Sequence, residues 1–572
     1  MSARLIPTPV APSVSTFTIL SDGEVVSAQY QVMSVLVYRS VNRIPSATLV
    51  IKDGDAAAQI WEVSETDYFI PGKPIEIRAG YQGTEDTIYK GIVVSHSIKV
   101  REQRSVLRID CRDEAYKMTL RPQSRFFREQ SDSDVIEDMV SRAGLQSEVE
   151  ATTFTHGELV QYNCTDWDFI LTRTDAMGKI CVVEDGTLKI NKPDLEQSAS
   201  LDLEYGATIL NFDAEIDSRN QFEAIESMAW NPADQEIRSV EESNFNSPQV
   251  GNLTAETLAA THAQNPFRQQ HGGPLLEEEL KDWSVARLQK SRLARIRGRA
   301  QFQGIASILP GQVIKLAGVG ERFNGEVFVA AVRHEIGNGN WLTDVEFGLD
   351  DDWFTERFSI TQARAASLIP AATGLQIGIV TQLADDPLGE HRVMIRLPIL
   401  STEDEGVWAR IATLDAGENR GSFFRPGIGD EVVVHFLNND PRYPIILGAL
   451  NSSAKPAPID ATDENFEKGF VTESGMQLLF NDEYKNILLE TPDGNRVAIS
   501  GENQSITIED QNSNKIVMDT SGITIESAKD IVLKANTKLE ASAPEVKIEG
   551  SATAEFSASG TNTIKGGLVQ IN

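Results

Sequence analysis

Clustered carboxylates are the residues of this sequence that come nearest to a catalytic pattern. Two groups stand out, Asp350-Asp351-Asp352 and Asp385-Asp386. Such groups can act as general acid and base or bind a divalent metal, but neither has the spacing of a metal-binding loop. We therefore interpret both groups as solvated loops.

The histidines and the short catalytic motifs lead to the same view. His391 and His435 lie in or beside predicted strands, in a segment without cysteine ligands for a metal. The sequence has no Gly-Lys-Ser phosphate loop, no HExxH and no Gly-x-Ser-x-Gly. We predict that the protein is not an enzyme and has no catalytic residues, no cofactor and no metal of its own.

Composition limits the classes of partner. The chain has 572 residues and a net charge of -32, whereas binding to nucleic acid or to an anionic membrane needs clustered Lys and Arg. Cys111, Cys164 and Cys181 cannot all pair within one chain, so we predict reduced thiols in a protein made in the cytoplasm. The first residues lack the pattern of a signal peptide, and no apolar run approaches ~18 residues, so no transmembrane segment is expected.

The C-terminal stretch repeats the pattern of one short strand and one turn. From about Asn486 to Asn572, triplets of apolar, polar and apolar residues recur at intervals of roughly ten and then about eight residues. The triplets begin at Ile487, Val497, Ile506, Ile516, Ile523, Ile531, Leu539, Val546 and Ala554. This pattern is typical of a β-solenoid.

Three arrangements could bury the apolar sides of these strands. A single-chain parallel β-helix would have a thin core, and a flat meander would expose strand edges. An intertwined homotrimer, in which the strands of each chain pair with those of its neighbours, closes the core with three chains. We favour it over the single-chain solenoid and over a generic β-rich tail. The predicted trimer core consists of Ile506, Ile508, Ile523, Ile525, Ile531 and Leu533.

Upstream, residues 371–450 predict a small five-stranded barrel of the OB type. The predicted strands are 377–383, 392–397, 407–412, 431–436 and 445–449. An OB barrel that binds oligonucleotides needs aromatic residues in a basic groove, but Trp408 and Phe436 lie in a segment rich in acidic residues. We do not expect this barrel to bind nucleic acid.

The same segment resembles the barrel of the VgrG (valine-glycine repeat) spike family. The resemblance is carried by Asp386-Pro387, Gly389, Arg392-Val393, Pro398, Trp408-Ala409-Arg410, Gly421, Pro426, Gly429-Asp430-Glu431-Val432, Phe436, Asp440-Pro441, Arg442, Pro444 and Gly448. Residues 491–495, 505–510 and 514–519 also resemble the start of that family's needle. Members of the family look like fusions of the hub and needle proteins of contractile phage tails.

The first 365 residues contain an internal duplication. The string Ile70-Pro71-Gly72-Lys73-Pro74-Ile75-Glu76-Ile77 lines up with Leu309-Pro310-Gly311-Gln312-Val313-Ile314-Lys315-Leu316. Tyr89-Lys90-Gly91 follows the first string as Phe323-Asn324-Gly325 follows the second, and 106–111 parallels 342–347. Two similar barrels per chain would give six in a trimer, which the resemblance implies is how such a spike caps a hexameric tube. The alternative is two unrelated barrels that share a Pro-Gly turn.

Three helices are predicted between the two copies. Ser131 or Ser133 caps the first, which ends at Gly144. Asp166 caps the second, which runs to Gly178, and the third runs from Pro274 to about Arg295. A basic cluster marks the end of the third helix: Lys290, Arg292, Arg295, Arg297 and Arg299. It could contact an acidic neighbour, but we favour a complement to the helix C-terminus.

The fold class is mainly β with minor α. We divide the chain into a first tube-like hub barrel (1–130), an α/β insert (131–270), a second tube-like barrel (271–368), an OB-fold domain (369–452), a neck (453–485) and a triple-stranded β-helix needle (486–572).

The resemblance implies a structural function, the trimeric spike and hub of a type VI-like or extracellular contractile injection system. Implied partners are two further copies, a hexameric inner tube protein, baseplate proteins, effector cargo, and transiently a target membrane. A tip protein of the proline-alanine-alanine-arginine repeat (PAAR) type is expected to dock on Leu568, Val569, Gln570, Ile571 and Asn572. The protein would be assembled into the particle in the cytoplasm and expelled or released with it. The alternative is a trimeric β-helical tailspike that binds or cleaves polysaccharide.

Overall fold

The computed structural model describes residues 14–55, 57–101, 104–152, 154–247, 250–262 and 266–571. The chain divides into two compact units between Leu368 and Ile369. Strands dominate both units, as the sequence predicted. Among the helices in these described ranges, none is long and apolar enough to cross a membrane.

The first copy of the duplication is an antiparallel sheet. Its strands are β1 (Ser15–Ser21), β2 (Glu24–Val25), β3 (Val32–Ser40), β4 (Ser46–Lys52), β5 (Pro74–Tyr81), β6 (Thr84–Arg101) and β7 (Arg104–Arg112), in the order β2-β1-β5-β6-β7-β4-β3. Side chains alternate along these strands, so that Val35 and Val37 of β3 and Leu49 and Ile51 of β4 enter one buried apolar core.

Two small sheets and two helices follow the first copy. They consist of β8 (Pro122–Ser131), α1 (Asp132–Arg142), β9 (Gln146–Val149), β10 (Thr155–Thr165), α2 (Asp166–Ala176), β11 (Ile180–Glu184) and β12 (Thr187–Asn191). The prediction of α1 is confirmed, since Ser131 forms a capping box with Asp134. The predicted cap of α2 is wrong: the hydroxyl of Thr165, one residue earlier than Asp166, accepts the N–H of Asp168 at 3.1 Å.

The second copy and a three-stranded sheet complete the N-terminal unit. The elements are β13 (Leu201–Glu204), β14 (Ile209–Ile216), β15 (Ile225–Asn231), β16 (Glu236–Glu242), α3 (Ala255–Ala259), β17 (Phe267–His271), α4 (Glu277–Leu293), β18 (Ile296–Gln303), β19 (Val313–Ala317), β20 (Gly325–Gly337), β21 (Asn340–Phe347) and α5 (Phe354–Arg357). The predicted start of α4 at Pro274 is wrong, because the carboxylate of Glu279 caps the chain at the N–H of Leu276. The helix ends at Leu293, before Arg295.

The insert predicted at 131–270 contains two strands that belong elsewhere. β13 pairs with β19 and β14 pairs with β18, so both lie in the second copy. This correction reflects pairing between strands far apart in sequence, which a local pattern does not contain.

β20 joins the two copies into one thirteen-stranded sheet. Its first part pairs with β19, and its second part, 331–337, runs antiparallel to β3 with Ala331 opposite Ser40 and Gly337 opposite Ser34. The sheet order is β14-β18-β21-β20-β3-β4-β7-β6-β5-β1-β2, with β13 and β19 attached beside it.

Backbone details repeat between the copies. Gly72 and Gly311 both have positive φ, +99° and +90°. Gly72 donates to the carbonyl of Val93 and Gly311 to that of Val329, each at 2.8 Å. β6 and β20 each contain an irregularity directly after that valine. Matching turns, bonds and bulges confirm the duplication predicted from the Pro-Gly strings.

One part of the predicted alignment is shifted. Gly91 lies opposite Ile75, and the counterpart of Ile75 in the second copy, Ile314, lies opposite Val327 rather than Gly325. Gly91 therefore corresponds to Val327. The strands are joined by Gln82-Gly83 in the first copy and by a longer loop, 318–324, in the second, which moves the glycine relative to the sheet.

The C-terminal unit begins with the predicted barrel. Its elements are β22 (Gln376–Gln382), β23 (Val393–Arg396), β24 (Val407–Ile411), β25 (Ala416–Gly417), β26 (Arg420–Gly421), β27 (Glu431–Phe436) and β28 (Pro444–Ala449). β22-β23-β24-β28-β27 close into a barrel around an apolar core that includes Val393, Ile395 and Val434. All five predicted strands are confirmed.

A seven-stranded antiparallel meander follows, here called the C-terminal sheet. Its strands, paired in sequence order, are β29 (Glu467–Val471), β30 (Gln477–Asn481), β31 (Asn486–Glu490), β32 (Arg496–Ser500), β33 (Ser505–Glu509), β34 (Lys515–Asp519) and β35 (Gly522–Glu526). The predicted neck, 453–485, therefore already contains two strands of the sheet. Beyond Glu526 the described chain, to residue 571, forms no further strand.

Candidate assembly surfaces

One side of the C-terminal sheet is apolar over all seven strands, and we call it the apolar face. It is formed by Phe470, Leu478, Phe480, Ile487, Leu489, Val497, Ile499, Ile506, Ile508, Ile516, Met518, Ile523 and Ile525. Directly opposite partners include Ile499 with Ile506 and Met518 with Ile523. The face stays largely exposed in the single chain, with Ile523 70% and Ile525 56% exposed. Exposure of so continuous an apolar area marks an interaction surface.

The opposite side of the sheet, here called the charged side, has a row of charged residues at one end of the strands, next to a middle row that includes Leu479, Leu488 and Val517. Glu490, Arg496, Glu509, Lys515 and Glu526 stand opposite one another on successive strands, so the signs alternate. Arg496 lies 2.8 Å from Glu509 and Lys515 lies 3.1 Å from Glu526. The charged ladder favours contact of these strand ends with water. A groove of about 620 Å³ lies where the ladder residues meet apolar-face residues such as Val497, Ile508 and Ile516.

The predicted trimer-core residues fall into two groups. Ile506, Ile508, Ile523 and Ile525 lie together on the apolar face. Ile531 and Leu533 lie beyond the last strand, where they are 53% and 69% exposed. The expected pairing of every strand with a neighbouring chain is wrong for β29–β35, because short turns such as 520–521 pair consecutive strands of one chain.

The predicted tip residues lie in the part of the chain without strands. Leu568, Val569, Gln570 and Ile571 are exposed, and Asn572 lies outside the described residues. Their role in docking stays a prediction.

Both acidic groups lie in loops, as interpreted, but one carboxylate of each group forms an ion pair that the sequence interpretation did not include. Asp350 lies 2.5 Å from Arg297 and 2.8 Å from Arg357. Asp386 lies 2.5 Å from Arg392, and this hydrogen-bonded guanidinium holds the pKa of the carboxyl well below its usual range. These carboxylates hold loops in place by binding arginine.

The two histidines considered as ligands, His391 and His435, are both exposed. Within the ranges that the structure describes, no three His, Cys, Asp or Glu side chains come together in a group that could hold a metal ion. The three cysteines carry free thiols, with Cys111 and Cys181 buried and Cys164 partly buried.

The basic cluster is engaged inside the chain. Arg292 and Arg295 are buried and donate to backbone carbonyls, those of Phe222 and of Val250 among them. Lys290 lies 2.6 Å from Asp175. Lys290 and Arg292 lie in the last turn of α4, in agreement with the favoured interpretation, but their partners are specific groups as well as the helix end.

A buried titratable network was missed by sequence reasoning. Asp132, at the start of α1, lies 2.6 Å from Nε of Arg173 and 2.8 Å from Nε2 of His156. Burial raises the pKa of Asp132, but the hydrogen bonds from His156 and Arg173 outweigh it and lower the value to about 2. The network links α1, β10 and α2, and no local motif signals it because the partners are distant in sequence.

Three family models match consecutive parts of the chain. Residues 11–338 match the Alg8 N-terminal domain. Residues 376–450 match the type VI secretion system/phage-baseplate injector OB domain, and residues 486–554 match the phage baseplate V C-terminal trimerisation domain. The three matches fall on the two copies with their insert, on the closed barrel, and on the C-terminal sheet with part of the segment that follows it.

Similar proteins include two spike proteins of Pseudomonas aeruginosa. The type VI secretion system spike protein VgrG1b is 23% identical over 406 residues, which cover 63% of this chain and 52% of that protein. The spike protein VgrG1a is 22% identical over 441 residues, which cover 70% of this chain and 66% of that protein. The chain thus spans between about half and two thirds of the length of these relatives.

Among solved structures, the 43 kDa tail protein of prophage MuSo2 from Shewanella oneidensis is 10% identical, with a TM-score of 0.43. The match covers 59% of this chain and 99% of the tail protein.

Proposed function

Because the chain belongs to the family defined by the Alg8 N-terminal domain and continues into an injector OB domain and a baseplate trimerisation domain, we propose that it is the trimeric hub and spike of a contractile injection system. In such a particle, of the type VI-like or extracellular kind, it would join a hexameric inner tube to a puncturing needle.

The apolar face of the C-terminal sheet is the observation that carries this proposal. A one-layer sheet with thirteen apolar side chains on one side and an ion-pair ladder on the other needs a partner for the apolar side. Three copies turned toward a common axis would bury three such faces together and keep every ladder in water. The match to a trimerisation domain over residues 486–554 supports three copies.

The test compares two aspartate variants on neighbouring residues of β35. Ile523→Asp places a carboxylate on the apolar face, and Thr524→Asp places one on the charged side. Native mass spectrometry of the full chain and of Thr524→Asp should give three times the chain mass of 62.9 kDa. Ile523→Asp should give single chains, because an unpaired buried charge costs several kcal/mol at each of three equivalent sites. A single-chain mass for the unmodified protein would refute the proposal.

The N-terminal unit would form the tube end. Each chain supplies two copies of one strand arrangement, so a trimer presents six similar modules to a hexameric tube. End-on electron-microscopy averages of the full-length trimer should show six similar densities around the axis. Three separate densities would contradict a six-fold hub.

The proposed action is mechanical rather than catalytic. Of the carboxylates considered for acid–base chemistry, Asp350 and Asp386 bind arginines. A net charge of -32 on each chain makes nucleic acid an unsuitable partner. We place synthesis and assembly in the cytoplasm, with baseplate proteins and effector cargo as further partners.

The end of the needle would receive a tip protein of the PAAR type. Leu568, Val569 and Ile571 are exposed apolar residues that a covering partner would bury. The chain without residues 568–572 should still form a trimer. It should no longer co-purify with the particle's own tip protein. Equal recovery of that protein with the truncated spike would place the docking surface elsewhere.

A further inference from the structure

In the thirteen-stranded sheet of the N-terminal unit, β14 and the second part of β6 each have one edge without a partner strand among the described residues. β14 is the last strand at one end and pairs with β18 alone. The second part of β6, residues 95–101, pairs with β7 on one side, while β5 pairs with β6 in the range 84–92. Open edges of this kind pair readily with another chain.

The duplication shows what these two edges correspond to. The irregularities after Val93 and Val329 make residues 95–101 of β6 equivalent to residues 331–337 of β20. The same irregularities make β21 equivalent to β7, so the strands next to them, β18 and β4, are also equivalent. The next strands along are β14, where Ala214 lies opposite Gly298, and β3, where Val37 lies opposite Ala47. β14 is therefore equivalent to β3. In the single chain, 331–337 of β20 pairs with β3. The equivalent pair, β6 with β14, is not made within the chain.

Side chains of β6 are more exposed than the equivalent side chains of β20, as expected if β6 lacks the partner strand that β20 has. Ile336 of β20 is 2% exposed, whereas its counterpart Val100 is 52% exposed. His334 is 2% exposed, whereas its counterpart Ile98 is 41% exposed. Val100 and Ile98 are therefore apolar side chains that lack the cover their counterparts receive from β3.

We propose that β6 of one protomer pairs antiparallel with β14 of the next protomer in the trimer, in the register that β20 and β3 use within one chain. That register puts Ile98 opposite Ala214 and Val100 opposite Phe212. The inference rests on the proposed trimer. Three such junctions, alternating with the three β20–β3 junctions, would make the sheet continuous around the hub.

Charge supports this register independently. Transfer of the β20–β3 pairing places Lys99 opposite Asp213 and Ser97 opposite Glu215. The side chain of Asp213 is 72% exposed, so it can accept Lys99 beside its present partner, Arg299. The side chain of Glu215 is 61% exposed, so it can accept a hydrogen bond from the hydroxyl of Ser97 beside its present partner, Arg297. Opposite charges that face each other across two strands stabilise the pair. A second copy of this chain thus fits the edge of β14.

Disulfide trapping tests the junction on the full chain. Opposite residues of antiparallel strands have Cα atoms ~4.5–5.5 Å apart, within the range that a disulfide spans. In a Cys164→Ser background, oxidation of Ile98→Cys with Ala214→Cys should convert most of the protein to covalent trimer on a non-reducing gel. The matched control, Ile98→Cys with Asp213→Cys, should stay uncrosslinked, because adjacent residues point to opposite sides of a strand.

The outcomes separate this inference from the proposed function. A trimeric native mass without crosslinking of the first pair overturns the junction and leaves the trimer standing. Crosslinking of the control pair alone overturns the register. A single-chain mass overturns the proposed function and, with it, this junction.

Hydrogen exchange on the unmodified protein tests the junction without a variant. In the trimer, the amides of residues 95–101 should be protected as strongly as those of 331–337. If alternate amides in 95–101 exchange at the rate of an unpaired strand edge in the trimer, the proposal is overturned.

Discussion

His334 lies buried where β20 crosses from the second copy to the first. Its Nδ1 is 2.9 Å from the hydroxyl of Thr343. Burial, and to a smaller extent the charge of Arg39, lowers the pKa of His334 to about 3. A histidine in an unfolded chain has a pKa of ~6.5, so the imidazole is neutral in the folded state over a pH range in which the unfolded chain binds a proton. Folding at this junction is therefore linked to pH.

We predict that His334→Leu reduces the loss of stability on acidification. Between pH ~6.5 and about 3, the unfolded state binds one more proton than the folded state, so the free energy of unfolding falls as the pH falls, by about 1.4 kcal/mol per unit. Urea unfolding of the parent and the variant from pH 7 to pH 4 should show the parent losing stability faster. Parallel curves would show that His334 does not contribute. Thr343 keeps a partner in the variant, because its hydroxyl accepts the N–H of Ile305.

At the scale of elements, the sequence predicts what is encoded locally. Period-two patterns and turn residues located all five barrel strands, and a serine cap located α1. The two Pro-Gly turns revealed the duplication. Membership of β14 in the second copy and the capture of Asp132 by Arg173 depend on residues far apart in sequence, so neither could be predicted. The pairing of β29–β35 within one chain, by contrast, is encoded locally in short turns such as 520–521, which the prediction of an intertwined trimer did not take into account.

The equivalent turns lead to a prediction of equal effects. Gly72→Ala and Gly311→Ala should each destabilise the N-terminal unit by about 1–2 kcal/mol, because a side chain is strained at φ of +99° and +90°. Gly272→Ala is the control, since Gly272 is exposed, has no positive φ and has open space around its Cβ position. Thermal unfolding should show lower midpoints for the first two variants and no change for the third. A Gly311→Ala midpoint equal to that of the control would contradict the argument.

At the scale of the whole molecule, the chain looks incomplete without its copies. It exposes apolar side chains and strand edges that a folded protein normally covers. They belong to the apolar face, to the open edges of β6 and β14, and to the strandless segment 527–571. The strandless segment continues the apolar triplets of the sheet, with exposed Ile531, Leu533, Val546 and Ile548. Because a short strand cannot bury its apolar side alone, we infer that this segment becomes ordered when three chains meet.

Hydrogen exchange should therefore distinguish the segment in the trimer from the same segment in the single chain. In the trimer, amides at 531–533 and 546–548 should exchange as slowly as those at 506–508 of β33, because strands from three chains would then accept their hydrogen bonds. In single chains of Ile523→Asp, the same amides should exchange at the rate of unstructured peptide, whereas trimeric Thr524→Asp should keep the protection. Equal exchange in the trimer and in the single chain would show that residues 527–571 do not fold on assembly, and the needle would then end with the C-terminal sheet at Glu526.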